Sequence, residues 1–203
     1  MYMCIYVCVY IYLLGKYKPS FLSRSFQCGK MYEERIGNRT GRWSSMSNLA
    51  ERTVKTEPIF DGRVIKVRVD DVVLPNGAMS KREIVNHPGA VAIIAITDEG
   101  KIVLVEQYRK ALEKAIIEIP AGKLEPGEKP EVTAVRELEE ETGYVCENME
   151  LITSFYTSPG FADEILYVYK ATGLTRKENK AELDEDEFVE LMEVSLEEAT
   201  TLM

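Results

Sequence analysis

The spacing of apolar residues changes along the chain from a strand pattern to a helical one, and this change constrains the fold more than any other feature. Between residues 60 and 119 the apolar residues form short runs, and turn-forming residues separate one run from the next. This pattern predicts β-strands. From Pro130 to Thr142 they recur at helical intervals, with Pro130 suited to a first turn and Gly143 to the position after the last. The sequence therefore predicts a mixed sheet that packs against few helices.

The same two periods predict the other elements. The predicted strands cover residues 60–74 with a bend near 61–62, 81–86, 91–97, 101–107, 115–119, 151–156, 165–171 and 188–193. The first two form a predicted hairpin, and the run 91–97, apolar except for Thr97, is expected to be buried on both faces. A second helix is predicted to begin after Ser195 and to reach Met203.

Charge and histidine content exclude several classes of function. The net charge of -9 disfavours binding to nucleic acid, because phosphates would be repelled. His87 is the only histidine, so a zinc site with two histidines is excluded and any Ser-His-Asp or Cys-His triad would have to use it. We expect His87 to be structural, and the chemistry must then come mostly from carboxylates.

Residues 1–45 differ in composition from the rest of the chain. They hold 7 basic and 2 acidic residues, whereas the remainder holds 18 basic and 32 acidic residues. The uncharged run 2–14 is shorter than the roughly 20 residues of a membrane span, and its lysines follow it, unlike those of a signal peptide. We interpret residues 1–45 as an extension outside the folded protein, with Met46 as a candidate native start. A membrane-tethered form that uses residues 2–14 is the alternative, which cell fractionation would test.

Residues 122–144 (GKLEPGEKPEVTAVRELEEETGY) combine glycines, an arginine and clustered carboxylates. On a helix Glu137, Glu140 and Glu141 fall on one side, and such oxygen-rich clusters bind Mg²⁺ or Mn²⁺. A solvated acidic helix face is the plainer alternative, but it would intersperse Lys or Arg, and residues 137–141 contain neither.

Two further residues of this segment have structural roles that the sequence predicts. Gly122 would let the backbone approach a metal closely, because it has no Cβ. Arg136 would hold Glu128 through a bidentate pair and so fix the preceding loop to the helix.

This segment resembles the Nudix box, G-x5-E-x7-R-E-U-x-E-E-x-G-U, in which U is a bulky aliphatic residue. The matching residues are Gly122, Glu128, Arg136, Glu137, Leu138, Glu140, Glu141 and Gly143. Tyr144 replaces the last aliphatic residue, a departure that we expect to affect packing only. The resemblance implies an α/β/α sandwich with a mixed sheet in residues 88–203 and a small N-terminal antiparallel β subdomain in residues 46–87.

Beyond the box, the chain is similar to the ADP-ribose pyrophosphatase branch of the family, of the Bacillus type. Pro159 lies 16 residues after Gly143, an offset typical of that branch. The implied substrate contacts are Arg82, Arg109, Ser158, Pro159, Gly160 and Glu164. The plain alternatives are surface arginines and an ordinary turn proline. The implied reaction is metal-dependent hydrolysis of ADP-ribose to AMP and ribose 5-phosphate.

The resemblance also implies catalytic roles. Glu137, Glu141 and the main-chain carbonyl of Ala121 would hold Mg²⁺ or Mn²⁺, while Glu140 and Arg136 would support them. Glu187 would be the general base, with Glu185 and Asp186 as open alternatives. A homodimer with exchanged N-terminal β subdomains is implied as well, and Cys146, the single cysteine after residue 45, fits a cytoplasmic protein.

Other functions stay open at this point. A Nudix pyrophosphatase for another nucleoside diphosphate sugar, NADH or a nucleoside triphosphate would use the same chemistry. A non-catalytic ADP-ribose-binding module would be expected to lose box carboxylates, and all are present here. The helical pattern stops at Met203, where relatives continue into a further helix, so we expect reduced stability from lost burial.

Overall fold

The computed structural model describes residues 49–177 and 188–202, which belong to two compact units. The first unit comprises residues 89–155, 166–177 and 188–202, and the second comprises residues 49–88 and 156–165. The expectations for residues 1–45 and for Glu185, Asp186 and Glu187 lie outside the described residues.

The second unit contains a three-stranded antiparallel sheet. Its strands are β1 (Arg52–Asp61), β2 (Lys66–Val73) and β3 (Met79–Asn86), in that order. The predicted hairpin is present as β2 and β3, with its turn at residues 75–77, and the chain bends between β1 and β2 at residues 63–64, just after the predicted position. The prediction of one strand from residue 60 is wrong, because β1 begins at Arg52. Its residues are polar or charged in large part and all are exposed, so they carry little apolar periodicity.

The first unit is built on a mixed sheet. Its strands are β4 (Ala90–Ile96), β5 (Ile102–Arg109), β6 (Lys114–Glu118), β7 (Ala121–Lys123), β8 (Tyr144–Tyr156), β9 (Ile165–Arg176) and β10 (Val189–Val194). The order is β10-β5-β4-β9-β8, with β6 paired to β5 and β7 paired to β4. Strand β4 runs parallel to β9 and antiparallel to β5 and β7. Strand β8 is longer than the predicted residues 151–156.

Two helices cover opposite faces of this sheet. On β4, residues Val91, Ile93 and Ala95 point to one face, where Ala134 and Leu138 of helix α1 (Pro130–Thr142) complete a buried cluster. The alternate residues Ala92 and Ile94 lie in a second cluster with Ala199 of helix α2 (Leu196–Leu202). The predicted burial of β4 on both faces is confirmed, and the layers form an α/β/α sandwich. Within the described ranges, no helix is long and apolar enough to cross a membrane.

Candidate active site

Helix α1 and its two ends fix the positions of the clustered carboxylates. Pro130 lies in the first turn, where its missing N–H costs no hydrogen bond. Gly143 ends the helix in the left-handed conformation, with φ of 73°, and donates its N–H to Glu139 O at 2.8 Å. Because Ala134 and Leu138 are buried against the sheet, the rotation of the helix about its axis is set by packing.

Arg136 is the centre of a cluster with three carboxylates, called the Arg136 cluster below. Its Nε and Nη2 lie 3.3 and 3.1 Å from the two carboxylate oxygens of Glu128. Its Nη1 lies 2.9 Å from Glu137 Oε1 and 2.7 Å from Glu140 Oε2. The Arg136 side chain is 28% exposed, so one guanidinium pairs with three carboxylates in a partly desolvated environment. The bidentate contact with Glu128 agrees with the sequence expectation.

Glu128 has a second partner that sequence reasoning missed. Thr133, which is fully buried, donates its hydroxyl to Glu128 Oε2 at 2.8 Å. The hydrogen bond from Arg136 holds the pKa of Glu128 below its ordinary value. Burial opposes the charge of Arg136, but its hydrogen bond with Glu128 and the neighbouring carboxylates outweigh this, so the pKa of Arg136 is raised. The loop before α1 is thereby tied to the helix through both Thr133 and Arg136.

Gly122 is required by the side chain of Glu137. A Cβ at residue 122 would lie 1.8 Å from Glu137 Cδ, which no real side chain tolerates. The sequence predicted a glycine that lets backbone approach a metal; in the structure the glycine makes room for a predicted metal ligand. Glu137 is only 8% exposed, so its carboxylate has little freedom to move away.

Glu141 is held by the strand that precedes the box. It is 3% exposed, and its Oε2 accepts a hydrogen bond from Ala121 N at 2.9 Å. Ala121 lies opposite Ala92 in the pairing of β7 with β4, so the sheet fixes its position. This contact uses the N–H of Ala121, and the assignment of its carbonyl to a metal stays a prediction.

The donor set fits a hard divalent cation. Glu137 and Glu141 are buried carboxylates one helical turn apart, Glu140 is adjacent, and all the ligands they offer are oxygens, as Mg²⁺ and Mn²⁺ prefer. Gly122 leaves space for the Glu137 side chain at one position, as a metal ligand with a fixed orientation requires. In residues 49–177 and 188–202, no group of three or more acidic, histidine or cysteine side chains is already gathered as a metal cage.

Four of the predicted substrate contacts, Ser158, Pro159, Gly160 and Glu164, lie on one loop of the second unit, residues 157–164, called the Glu164 loop below. Ser158 O accepts hydrogen bonds from Phe161 N at 3.1 Å and Ala162 N at 2.8 Å, which closes a turn over Pro159 and Gly160. Thr157 and Glu164 face each other at its base. The turn that Pro159 favours is therefore present, while contact with substrate stays a prediction.

The two predicted substrate arginines each have an acidic partner within their own unit. In the second unit, Arg82 makes a bidentate contact with Glu51, with its Nε and Nη2 at 2.8 and 2.5 Å from the carboxylate oxygens. In the first unit, Arg109 Nε lies 2.7 Å from Glu118 Oε2. Sequence reasoning missed both partners, because neither Glu51 nor Glu118 belongs to a motif.

The α/β/α sandwich carries a helix on which an arginine lies among clustered glutamates. This combination is typical of the pyrophosphate-cleaving hydrolases that the resemblance to the Nudix box implies. Family models agree: one for the NUDIX domain matches residues 86–203, and one for the nucleoside diphosphate sugar hydrolase N-terminal domain matches residues 51–85. The chain belongs to the Nudix family, whose members generally use divalent metals.

Relatives and a solved structure extend this assignment. The chain is 63% identical over 158 residues to an ADP-ribose pyrophosphatase of Bacillus subtilis (strain 168), with 78% of this chain and 85% of the relative covered. It is 72% identical over 149 residues to a methanol dehydrogenase activator of Bacillus methanolicus, with 73% and 80% covered. A crystal structure of an ADP compounds hydrolase, 22% identical, covers 75% of this chain and 82% of its own with a TM-score of 0.66, which confirms the fold. The family shows that the chain is a hydrolase.

Proposed function

We propose that the protein hydrolyses the diphosphate of ADP-ribose to AMP and ribose 5-phosphate with bound Mg²⁺ or Mn²⁺. The observation that carries the proposal is the complete carboxylate set of the box, held on α1 around Arg136 and against Gly122. Identity of 63% to an ADP-ribose pyrophosphatase selects the substrate among diphosphates.

In this mechanism the residues of α1 bind and orient. Glu137, Glu141 and the carbonyl of Ala121 would hold the cation, whose charge would offset that of the diphosphate and would favour deprotonation of the attacking water. Arg136 donates from Nη1 to both Glu137 and Glu140, and its positive charge offsets the repulsion between these two carboxylates. Glu140, at the exposed edge of the set, supports the ligands.

The predicted substrate contacts divide into arginines and loop residues. Arg82 and Arg109 would contribute charge-assisted hydrogen bonds to phosphate oxygens, and Ser158, Pro159, Gly160 and Glu164 would shape the Glu164 loop around the nucleotide sugar. The proposed general base, Glu187, with Glu185 and Asp186 as alternatives, lies outside the described residues. As general base, this carboxylate would accept the proton of the attacking water.

The finer assignments of partner, domains and location are part of the same proposal. A homodimer with exchanged N-terminal subdomains is supported by the exposed apolar residues of the second unit, among them Ile59, Phe60 and Met79. The division near residue 87 is supported by the two family models, which meet between residues 85 and 86. A cytoplasmic location is supported by the single cysteine after residue 45.

The test is product analysis with the full chain. ADP-ribose, GDP-mannose, NADH and dATP would each be incubated with Mg²⁺, and products resolved by chromatography. We expect AMP and ribose 5-phosphate from ADP-ribose, and a loss of several kcal/mol of transition-state stabilisation, on the order of 10³-fold in rate, in Glu141→Gln. Glu139→Gln is the matched control, since this carboxylate on the same helix pairs with Lys177 at 2.7 Å.

Each other result would select a different function. Cleavage of another substrate in preference to ADP-ribose would support metal-dependent diphosphate hydrolysis and would contradict ADP-ribose as the substrate. Binding of ADP-ribose by a folded protein that cleaves nothing would favour a non-catalytic module.

A second candidate function is activation of a dehydrogenase. The observation that favours it is the 72% identity to a methanol dehydrogenase activator. Adding the chain to the Bacillus methanolicus methanol dehydrogenase and measuring methanol oxidation would test it. Comparison with Glu141→Gln would show whether any activation requires hydrolysis, and an unchanged oxidation rate with the intact chain would rule this function out.

A further inference from the structure

The carboxylate of Glu164 has a partner at each oxygen, a hydrogen-bonding hydroxyl at one and a more distant imidazole at the other. Thr157 donates its hydroxyl to Glu164 Oε2 at 2.5 Å, and His87 Nδ1 lies 3.5 Å from Glu164 Oε1. The side chains of His87 and Glu164 are 14% and 17% exposed, so water competes weakly for these contacts. A free glutamate side chain loses much rotamer entropy when it is ordered, and these two partners order it in advance.

The backbone explains why these three residues meet. Thr157 N donates to Glu164 O at 3.1 Å, which pairs the two ends of the Glu164 loop. Val85 at the end of β3 bonds to the same loop, accepting a hydrogen bond from Asp163 N and donating one to Phe161 O. His87 follows two residues later, and its N–H donates to Asp163 Oδ1 at 2.8 Å. The backbone of His87 is thus tied to Asp163 while its imidazole faces Glu164.

The loop is anchored independently of Glu164. Asp163 Oδ2 accepts a hydrogen bond from Asn86 Nδ2 at 2.5 Å, and Asn86 in turn accepts one from Arg68. Removing a contact to Glu164 therefore leaves the attachment of the loop to β3 in place. Two roles can be separated here: Asp163 attaches the loop, and Thr157 and His87 orient one carboxylate on it.

We propose that Thr157 and His87 are positioning residues that set substrate affinity by fixing the carboxylate of Glu164. The proposal rests on the proposed function, which assigns Glu164 to substrate binding. A carboxylate has about four lone-pair sites, so Glu164 retains acceptor capacity for ligand hydroxyl or amide groups beyond its two protein partners. Neither Thr157 nor His87 needs to touch the substrate for this effect.

Steady-state kinetics of the full chain with ADP-ribose would test the positioning role. Thr157→Val removes the hydroxyl at nearly constant volume, and we expect KM to rise about 5- to 10-fold with kcat changed less than about twofold. Thr157→Ser keeps the hydroxyl and should restore KM. His87→Leu should raise KM by a smaller factor, which His87→Asn should reverse in part, because its amide can donate near the position of Nδ1. Glu164→Gln gives the reference effect on the same scale.

The outcomes separate this proposal from the proposed function. If Glu164→Gln raises KM while Thr157→Val and His87→Leu leave it unchanged, ADP-ribose hydrolysis stands and the positioning role is wrong. An unchanged KM in Glu164→Gln would also overturn it. A fall in kcat alone in Thr157→Val, unrescued by serine, would show a structural role instead.

A second readout does not depend on activity. His87 is the only histidine of the chain, so protein purified without a histidine tag gives a single imidazole Hε1 NMR signal. We expect ADP-ribose to shift this signal in metal-free protein, and the midpoint to move to higher ligand concentration in Thr157→Val. Should the intact chain fail to cleave ADP-ribose, an unmoved His87 signal would overturn the positioning proposal as well.

Discussion

The Arg136 cluster and the Glu164 loop both fix carboxylates, but with opposite chemistry. In the Arg136 cluster one guanidinium serves three acids that lie close together in sequence. In the Glu164 loop a hydroxyl, an amide, a backbone N–H and an imidazole hold Asp163 and Glu164. An excess of acid over base suits a place that must attract cations, whereas largely neutral donors suit a carboxylate that only has to be oriented.

Among the substitutions that compare these two regions, Gly122→Ala should have the largest effect, and it tests whether the Arg136 cluster depends on shape as well as charge. The new methyl group would displace Glu137, and misplacement of a catalytic group by about 1 Å can cost on the order of 10²-fold in rate. Overpacking should also lower the free energy of unfolding by about 1–3 kcal/mol. ADP-ribose turnover and urea denaturation would measure the two effects.

The Glu137→Ala background is the control for this substitution. Without the Glu137 side chain the three closest clashes of the methyl group are removed, so Gly122→Ala should then cost less stability while activity stays low. A full stability cost in both backgrounds would mean that another contact requires the glycine.

Arg136→Met should produce the next largest effect. The salt dependence of its effect on stability distinguishes the Arg136 cluster from the Glu164 loop. It leaves Glu128, Glu137 and Glu140 without their shared cation, so we expect a loss of about 2 kcal/mol in unfolding free energy. Because repulsion among these acids is screened by salt, the loss should shrink at about 1 M NaCl. Arg136→Lys, which keeps the charge without the bidentate geometry, should lose less. Equal losses at low and high salt would contradict an electrostatic origin.

Asp163→Ala is the corresponding change in the Glu164 loop. It removes the acceptor for Asn86 Nδ2 and His87 N, and we expect a loss of about 1–2 kcal/mol in unfolding free energy. Because both donors are neutral, this loss should depend less on salt than that of Arg136→Met. Glu150→Ala, at an exposed position of β8, is the control and should change stability by less than about 0.5 kcal/mol.

The two regions also differ in how well the sequence predicts them. Box residues lie within one helix and the loop before it, so fixed spacing was enough to predict their grouping and the contact of Arg136 with Glu128. Thr157, His87 and Glu164 meet only because β3 pairs with the Glu164 loop, and no local period encodes that pairing. His87 was expected to be structural, but its partner could not be predicted.

Tyr144 shows the same limit within the box itself. Its sequence position predicted an effect on packing, and the ring is indeed 9% exposed. Its hydroxyl also donates to Glu193 Oε1 at 2.6 Å, a partner on β10 that sequence spacing could not reveal. Burial, together with this hydrogen bond, raises the pKa of Tyr144 to about 12, so the hydroxyl stays protonated and remains a donor.

The smallest expected effect is the pH dependence of the stability that Glu128 and Asp163 each contribute. Arg136 holds the pKa of Glu128 below its ordinary value of 4.5. For Asp163, burial is outweighed by hydrogen bonds from Asn86 and His87 N, which hold the pKa below 3.8. A depressed pKa in the folded state means stability that is present above the unfolded value and is lost as pH falls through the folded value.

Thermal unfolding of wild type, Glu128→Gln and Asp163→Asn between pH 7 and pH 2 would measure this difference. At pH 7 we expect Glu128→Gln to be less stable than wild type by about 1 kcal/mol, and the gap should close as pH falls below about 4.5. The gap for Asp163→Asn should begin to close only below about 3.8, because its unfolded carboxyl titrates lower. If the two gaps closed over the same pH range, or stayed open to pH 2, the assigned contacts would not be the source of the stability.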